Sequence, residues 1–283
     1  MRVLVTGANG QLGHDVVNTC TRSGDEVFGL ARTSLDVTSR DAVLGALTTL
    51  RPDAVIHCAA WTAVDNCESD PERAFAANAL AVRWVREGCE RVGAHLVTVG
   101  TDYVFDGTLD RPYREWDEPN PQSVYGASKL AGEREAGSAA AVVRTSWVCG
   151  EHGNNMVRTV VRLAAERDSL AFVDDQRGCP TFTADLAPML RRLAVERRSG
   201  LHHVTNQGAV SWFEFVREIV AAMGRDPEMV HPITTAELDP PRPAHRPANS
   251  VLDNAVLRLA GVAPMRHFRE PLGELVARIM HSG

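Results

Sequence analysis

The stretch Arg2–Gly13, RVLVTGANGQLG, runs from an apolar strand through a glycine turn into the start of a helix. Gly7, Gly10 and Gly13 stand in the spacing G-x-x-G-x-x-G. In that arrangement Gly7 permits the tight turn, Gly10 lets the backbone approach a bound group closely, and Gly13 lets the helix pack on the strand. The unpaired N–H groups of the helix N-terminus then face an anion. Three glycines alone also suit a strand–helix turn with no ligand. Their place, after the first strand and at the opening of a βαβ unit, points to a bound diphosphate.

Outward from this turn, short apolar runs alternate with helical segments: EVFGLA, a helix from about Thr38, DAVIHCAA, a long helix from Asp70, and HLVTVGT. That alternation is the pattern of a parallel sheet. In SDPERAF, Asp70 is an N-cap and Pro71 occupies the first turn, where its missing N–H costs nothing. A further strand, AAVVRTSWV, follows. Beyond about residue 150 the pattern loosens. Helical stretches near 155–167 and 184–198 flank the loop DDQRGCPTF, Ser211 and Glu214 form a capping box, and the proline-rich DPPRPAHRP reads as an extended arm. The predicted architecture is α/β: a Rossmann-type doubly wound parallel sheet in residues 1–150. Residues 151–283 form mainly a smaller, partly discontinuous substrate-binding lobe, with segments returning to the sheet. Such a lobe would lie over the carboxyl edge, where open α/β sheets bind ligands.

Composition narrows the function. A chain of 283 residues with 44% hydrophobic and 23% charged residues has enough apolar side chains for a full core, so disorder is not expected. A net charge of -6, with arginines scattered along the chain, leaves no basic footprint for nucleic acid. The opening strand lacks the layout of a signal peptide, and no apolar run approaches the ~20 residues of a membrane-spanning helix. Six cysteines with no C-x-x-C pair read as small buried hydrophobes in a reducing compartment. A cytoplasmic location with no membrane is expected.

The end of the second strand bears on the cofactor. An acid about 20 residues beyond the glycine turn would bond the ribose hydroxyls of NAD. Here FGLARTS offers Arg32, Thr33 and Ser34, suited to a 2′-phosphate, and the first acid, Asp36, comes later. NADPH is favoured and NADH stays possible. Beside a nicotinamide, SVYGASKLAGE gains meaning, because Tyr125 and Lys129 stand one helical turn apart. Reduction of a carbonyl leaves an oxygen that needs a proton. A phenol is a poised donor, and a nearby ammonium is expected to lower its pKa. Thr101, at the end of the strand before DYVFDG, offers a hydroxyl to orient the substrate oxygen.

In order along the chain, GANGQLG, CAAWTAVDNCESDPERAFAAN, GTDYVFDG, YGASKLAGE, RTSWV, DDQRGCPTF and RPANSVLD resemble the extended short-chain dehydrogenase/reductases, and within them the dTDP-4-dehydrorhamnose reductase family. The resemblance runs nearly end to end. It implies reduction of the 4-keto group of a dTDP-linked 6-deoxy-L-hexose, the last step toward dTDP-L-rhamnose, with Thr101, Tyr125 and Lys129 as the catalytic triad. It implies further that Tyr125 and Lys129 contact the cofactor, the lysine holding the nicotinamide ribose. Gly10, Gln11, Leu12, Asp36, Val37, Ala59, Ala60 and Thr62 are implied as cofactor neighbours, and Asp102, Tyr103 and Trp147 as substrate-pocket residues. Trp147 suits that role physically, because an indole at a strand end can cover an apolar sugar face, although core packing would also explain it. Arg246 is a candidate for the substrate diphosphate. Asn78, in mid-helix, reads as a buried amide tying backbone together.

Two departures from the family pattern, Gly100 and Cys149, fall near the expected pocket. Some relatives bind magnesium through acids at a dimer contact. Asp15 and Asp185 lie near those places, but no metal site is expected, and the chain is expected to act as a monomer or homodimer. A 4,6-dehydratase would need Glu where Tyr103 stands, and an NAD-retaining epimerase would suit an acid where Arg32 stands. Another nucleotide-sugar ketoreductase is the alternative within the same class, and a regulatory subunit resembling that of methionine adenosyltransferase, binding NADP without turnover, is the rival from another.

Overall fold

The computed structural model describes residues 1–282. Strand β1 (Arg2–Thr6) sends Val3 and Val5 into one apolar layer and Leu4 into another. The alternation repeats in β3 (Ala54–His57), β4 (His95–Val99) and β5 (Ala141–Arg144): Ile56, Val97 and Val143 join the first layer, and Val55, Leu96 and Val142 the second. Strands apolar on both faces are what a parallel sheet covered by helices requires. With β2 (Glu26–Leu30) and β10 (Gly200–His203) they form a six-stranded sheet of order β10-β5-β4-β3-β1-β2, parallel throughout. The order reverses at β1, whose neighbours are β2 on one side and β3 on the other. At such a switch point the carboxyl ends of the strands open a crevice.

One face is covered by α1 (Gln11–Arg22), whose Leu12, Val16 and Cys20 repeat every four residues, and by α8 (Thr183–Val195) packed against it. The other face receives Val43 and Leu47 of α2 (Arg40–Leu50) and Val82, Val85 and Cys89 of α5 (Ala81–Val92). Helix α2 starts two residues later than expected. Ser39 caps it, accepting from the Ala42 N–H at 3.4 Å, while Thr38 turns its N–H and hydroxyl to Asp36. After α3 (Val64–Ser69), Asp70 caps α4 (Pro71–Phe75) by accepting from the Arg73 N–H at 3.1 Å. The long helix expected from Asp70 is interrupted, because a π-helical turn at Ala76–Leu80 separates α4 from α5. Helix α6 (Val124–Ala136), capped by Ser123, carries Tyr125 and Lys129.

Apart from the short α10 (Ala255–Leu259), which packs beside β10 and adds Leu257 to the first layer, the remaining elements build a second core. Helices α7 (Met156–Glu166), α9 (Trp212–Ala222) and α11 (Arg269–Ser282) enclose Val157, Val160, Phe215, Ile219, Leu272 and Leu275. Short pairs border it: β6 (Val148–Cys149) with β9 (Thr181–Phe182), β7 (Leu170–Val173) with β12 (Val230–Ile233), and β8 (Arg177–Gly178) with β11 (Val210–Ser211). Ser211 and Glu214 form the expected capping box at α9. Residues 239–247 adopt no regular element; the Ala244 N–H ties this arm to Asp65 at 3.1 Å. Cys149, expected near the pocket, is buried in the second core. Among the described residues, no helix is long and apolar enough to cross a membrane.

Candidate active site

Two adjoining cavities open at the switch point. The first, about 440 Å³, is lined by Gly7, Gly10, Arg32, Asp36, Val37, Ala59 and Ala60 among others. The second, about 590 Å³, shares Gly7, Gly10 and Ala60 and continues past Gln11, Leu12 and Thr62 to Thr101, Asp102, Tyr103, Tyr125, Lys129 and Trp147. The candidate residues of the sequence reading therefore border one of these two spaces, except Arg246 and, of the hydroxyls beside Arg32, Thr33 and Ser34.

The glycine turn suits an anion. Gly7 holds φ +68°, and a Cβ there would meet the Ala59 N at 2.8 Å; a Cβ on Gly13 would run into the Gly7 carbonyl oxygen. The turn closes through the Gly10 N–H donating to Gly7 O at 2.9 Å. No side chain caps α1, so its first N–H groups remain available to a diphosphate. Arg32 is exposed on the wall of the first cavity. The Thr38 hydroxyl and N–H hold the Asp36 carboxyl below the usual range, and the Arg32 charge adds to this. The Gln11 amide fastens the segment after Trp147, donating to Val148 O at 2.9 Å and accepting from the Gly150 N–H at 3.0 Å and Asn155 Nδ2 at 2.6 Å.

Tyr125 lies in the first turn of α6 with Lys129 one turn on, and both are buried, as is Thr101 at the carboxyl end of β4. Lys129 Nζ donates to Val99 O at 2.6 Å, which places its charge beside the strand end that carries Thr101. The Thr101 hydroxyl donates to Asp102 Oδ1 at 3.2 Å and accepts from the Tyr103 N–H at 3.3 Å. One expectation is not met, since the Tyr125 phenol is not lowered by its lysine. Burial pushes it above its usual range, with only a hydrogen bond to Thr101 acting the other way. The same burial pushes the Lys129 ammonium down to about 8, against the Glu133 carboxylate one turn further along, which favours the charge. A phenol that keeps its proton is the form a proton donor needs.

Asp102 is buried beside Thr101, and burial pushes its carboxyl up to about 6 against hydrogen bonds from Ser250 and Thr101. The Tyr103 ring meets Tyr125 edge-on, with centroids 5.6 Å apart. Arg246 is committed elsewhere: its guanidinium binds both oxygens of Asp65, at 2.5 and 2.6 Å, and the Ala244 carbonyl at 2.7 Å. It stays close enough to hydrogen-bond Tyr103. Asn78 sits in the π-helical turn and ties backbone together: Oδ1 accepts from the Trp61 N–H at 2.8 Å, and Nδ2 donates to Trp61 O and Ser128 Oγ at 3.0 Å. Asp15 accepts a hydrogen bond from the Thr183 hydroxyl, and Asp185 is paired with Arg266 at 3.0 Å. Asp15 also lies within 4.8 Å of ligand atoms of His14 and His152, in a separate cleft between α1 and α11.

The sequence reading missed several wall residues. Trp61 and Arg73 line the first cavity, the guanidinium 4.3 Å above the indole. Gly153, Asn154 and Trp212 line the second. Trp212 lies inside a recognisable capping box, a signal for the start of a helix but not for the cavity it would face.

A doubly wound parallel sheet, a glycine turn at its switch point and a Thr–Tyr–Lys group in the adjoining cavity define an extended short-chain dehydrogenase/reductase. Within that class the chain belongs to the family described as RmlD substrate binding domain, whose model matches residues 1–281. A dTDP-4-dehydrorhamnose reductase of Streptomyces griseus is 43% identical over 282 residues, covering 96% of this chain and 92% of that one. The crystal structure of a dTDP-4-dehydrorhamnose reductase from Clostridium acetobutylicum superposes with a TM-score of 0.95 at 40% identity, covering 99% of this chain and all of that one. One from Bacillus anthracis, in complex with NADP, superposes with a TM-score of 0.92 at 37% identity, covering 100% and 99%.

Proposed function

We infer that this chain uses NADPH to reduce the 4-keto group of a dTDP-4-dehydro-6-deoxy-L-hexose, converting dTDP-4-dehydro-L-rhamnose to dTDP-L-rhamnose. The observation that carries this reading is the buried Thr101–Tyr125–Lys129 group on a cavity continuous with the glycine turn. The uncapped start of α1 and Arg32 would hold the cofactor's phosphates, and Lys129 its nicotinamide ribose. When bound, NADPH supplies the hydride to C4. Tyr125 donates its phenolic proton to the oxygen that becomes the new hydroxyl, and the Thr101 hydroxyl holds that oxygen in reach. Lys129 contributes a positive charge from a buried position, where such a charge acts more strongly than in water.

On this reading residues 1–150 hold the cofactor, and residues 151–283 mainly hold the sugar nucleotide while also supplying α8 and β10 to the sheet. Arg246 stands beside Tyr103 at the sugar side, where a diphosphate would compete with Asp65 for it. The free cysteines support a reducing, cytoplasmic setting, and the acidic balance supports a partner list without nucleic acid. The enzyme acts as a monomer or homodimer.

Two results are expected. Arg32→Ala should raise the Michaelis constant for NADPH roughly tenfold, the effect of losing one charge-assisted contact, and leave NADH use unchanged. Equal use of both cofactors by the wild type would remove this role. The dTDP-linked ketosugar should be turned over far faster than the free ketosugar, since the remote nucleotide positions the carbonyl. Comparing initial rates of NADPH oxidation with the two substrates tests this, and equal rates would refute it.

A further inference from the structure

Trp147 is held in an unusual way. Its backbone has φ +46°, in the left-handed region that a bulky side chain adopts only when the surroundings impose it. Its carbonyl accepts the Thr181 N–H of β9 at 3.2 Å. Its indole lies flat against that of Trp212, with centroids 3.5 Å apart and planes 6° from parallel. Gly178 approaches the same indole so closely that a Cβ there would sit 2.5 Å from a ring carbon. Trp212 is the first residue of α9. Its own N–H donates to Gln176 O at 3.3 Å, and the Ser211–Glu214 capping box immobilises the turn it starts. Both indoles border the cavity that contains Tyr125.

We propose that Trp212 is a positioning residue for the reduction: stacked on Trp147, it fixes the angle of the indole face that receives the apolar face of the 6-deoxyhexose. The inference rests on the reading of this cavity as a sugar site. An isolated indole on a loop could rotate about two side-chain torsions, whereas a paired one backed by Gly178 presents a single rigid wall. Apolar C–H faces of a pyranose gain most from such a preorganised aromatic surface. Rigidity here comes from the C-terminal lobe, so the sugar wall is assembled only when that lobe is docked on the sheet.

The test is a double-mutant cycle on the full enzyme, read in turnover of the dTDP-linked ketosugar and in NADPH affinity. Trp212→Ala should raise the Michaelis constant for the sugar nucleotide roughly five- to tenfold, the size of a stacking contribution, with NADPH affinity unchanged. Trp212→Phe should restore most of the loss. In a Trp147→Ala background, Trp212→Ala should add almost nothing, because its effect passes through the missing indole. An equal effect in both backgrounds, or an equal loss of NADPH affinity, would overturn the proposal. If Trp212→Ala does not fold, Trp212→Leu, which keeps bulk without a ring, takes its place in the cycle. A wild type that turns over no dTDP-ketosugar sinks the sugar-site reading itself, whereas an unchanged Michaelis constant in Trp212 variants of an active enzyme sinks only the role of Trp212.

Discussion

Replacing Tyr125 with phenylalanine is expected to lower kcat by about 10²–10⁴, the usual contribution of a positioned general acid, while NADPH binding stays near normal. The substitution removes one hydroxyl and keeps the ring that packs with Cys67, Ala74 and Tyr103. Stability should therefore change little, and the loss can be assigned to the proton. Tyr113→Phe is the matched control. Its hydroxyl donates to Asp106 at 2.9 Å and accepts from the Leu109 N–H at 3.2 Å, in a separate apolar cluster. That change should cost about 1 kcal/mol of stability and leave kcat intact. Steady-state kinetics beside thermal melts separate the two effects.

Lys129→Met is expected to damage both steps, lowering kcat by about 10²–10³ and weakening NADPH binding. Methionine fills much of the same buried space but offers no charge and no donor to Val99 O. A pH signature accompanies this. Burial lowers the Lys129 pKa to about 8, so the side chain is charged below that value and loses its proton as pH rises through it. Tyr125 is pushed the other way and keeps its proton throughout. Wild-type reduction should therefore decline as pH rises past about 8, and the Lys129→Met enzyme should lack that limb. An identical limb in both enzymes would assign it to another group.

Much of this site was legible in the chain itself because its parts are local. The glycine turn occupies seven consecutive residues, and Tyr125 and Lys129 stand one helical turn apart, a spacing that needs no tertiary information. The doubly buried strands read as apolar runs for the same reason. What stayed hidden depends on distant pairing. Arg246 looked like a free cation, yet its partner Asp65 lies 181 residues away. Trp212 reaches Trp147 only through the packing of the second core, and β10 enters the sheet beside β5 after a long excursion. The π-helical turn at Ala76–Leu80 was invisible because four of its five residues are strong helix formers; the fifth, Asn78, bonds to Trp61 and Ser128 outside its own helix. The direction of the Tyr125 shift was misjudged because charge proximity is readable from spacing, whereas burial is not.

Turnover of a sugar nucleotide is what separates an enzyme from a module that only binds its cofactor. The direct measurement is to mix the protein with NADPH and dTDP-4-dehydro-L-rhamnose, follow the absorbance of NADPH, and identify the sugar nucleotide formed. Stoichiometric oxidation of NADPH with formation of dTDP-L-rhamnose is expected, and omitting either substrate should abolish it. NADPH that binds but is never consumed, with the sugar nucleotide recovered unchanged, would contradict it and leave a cofactor-binding module in its place.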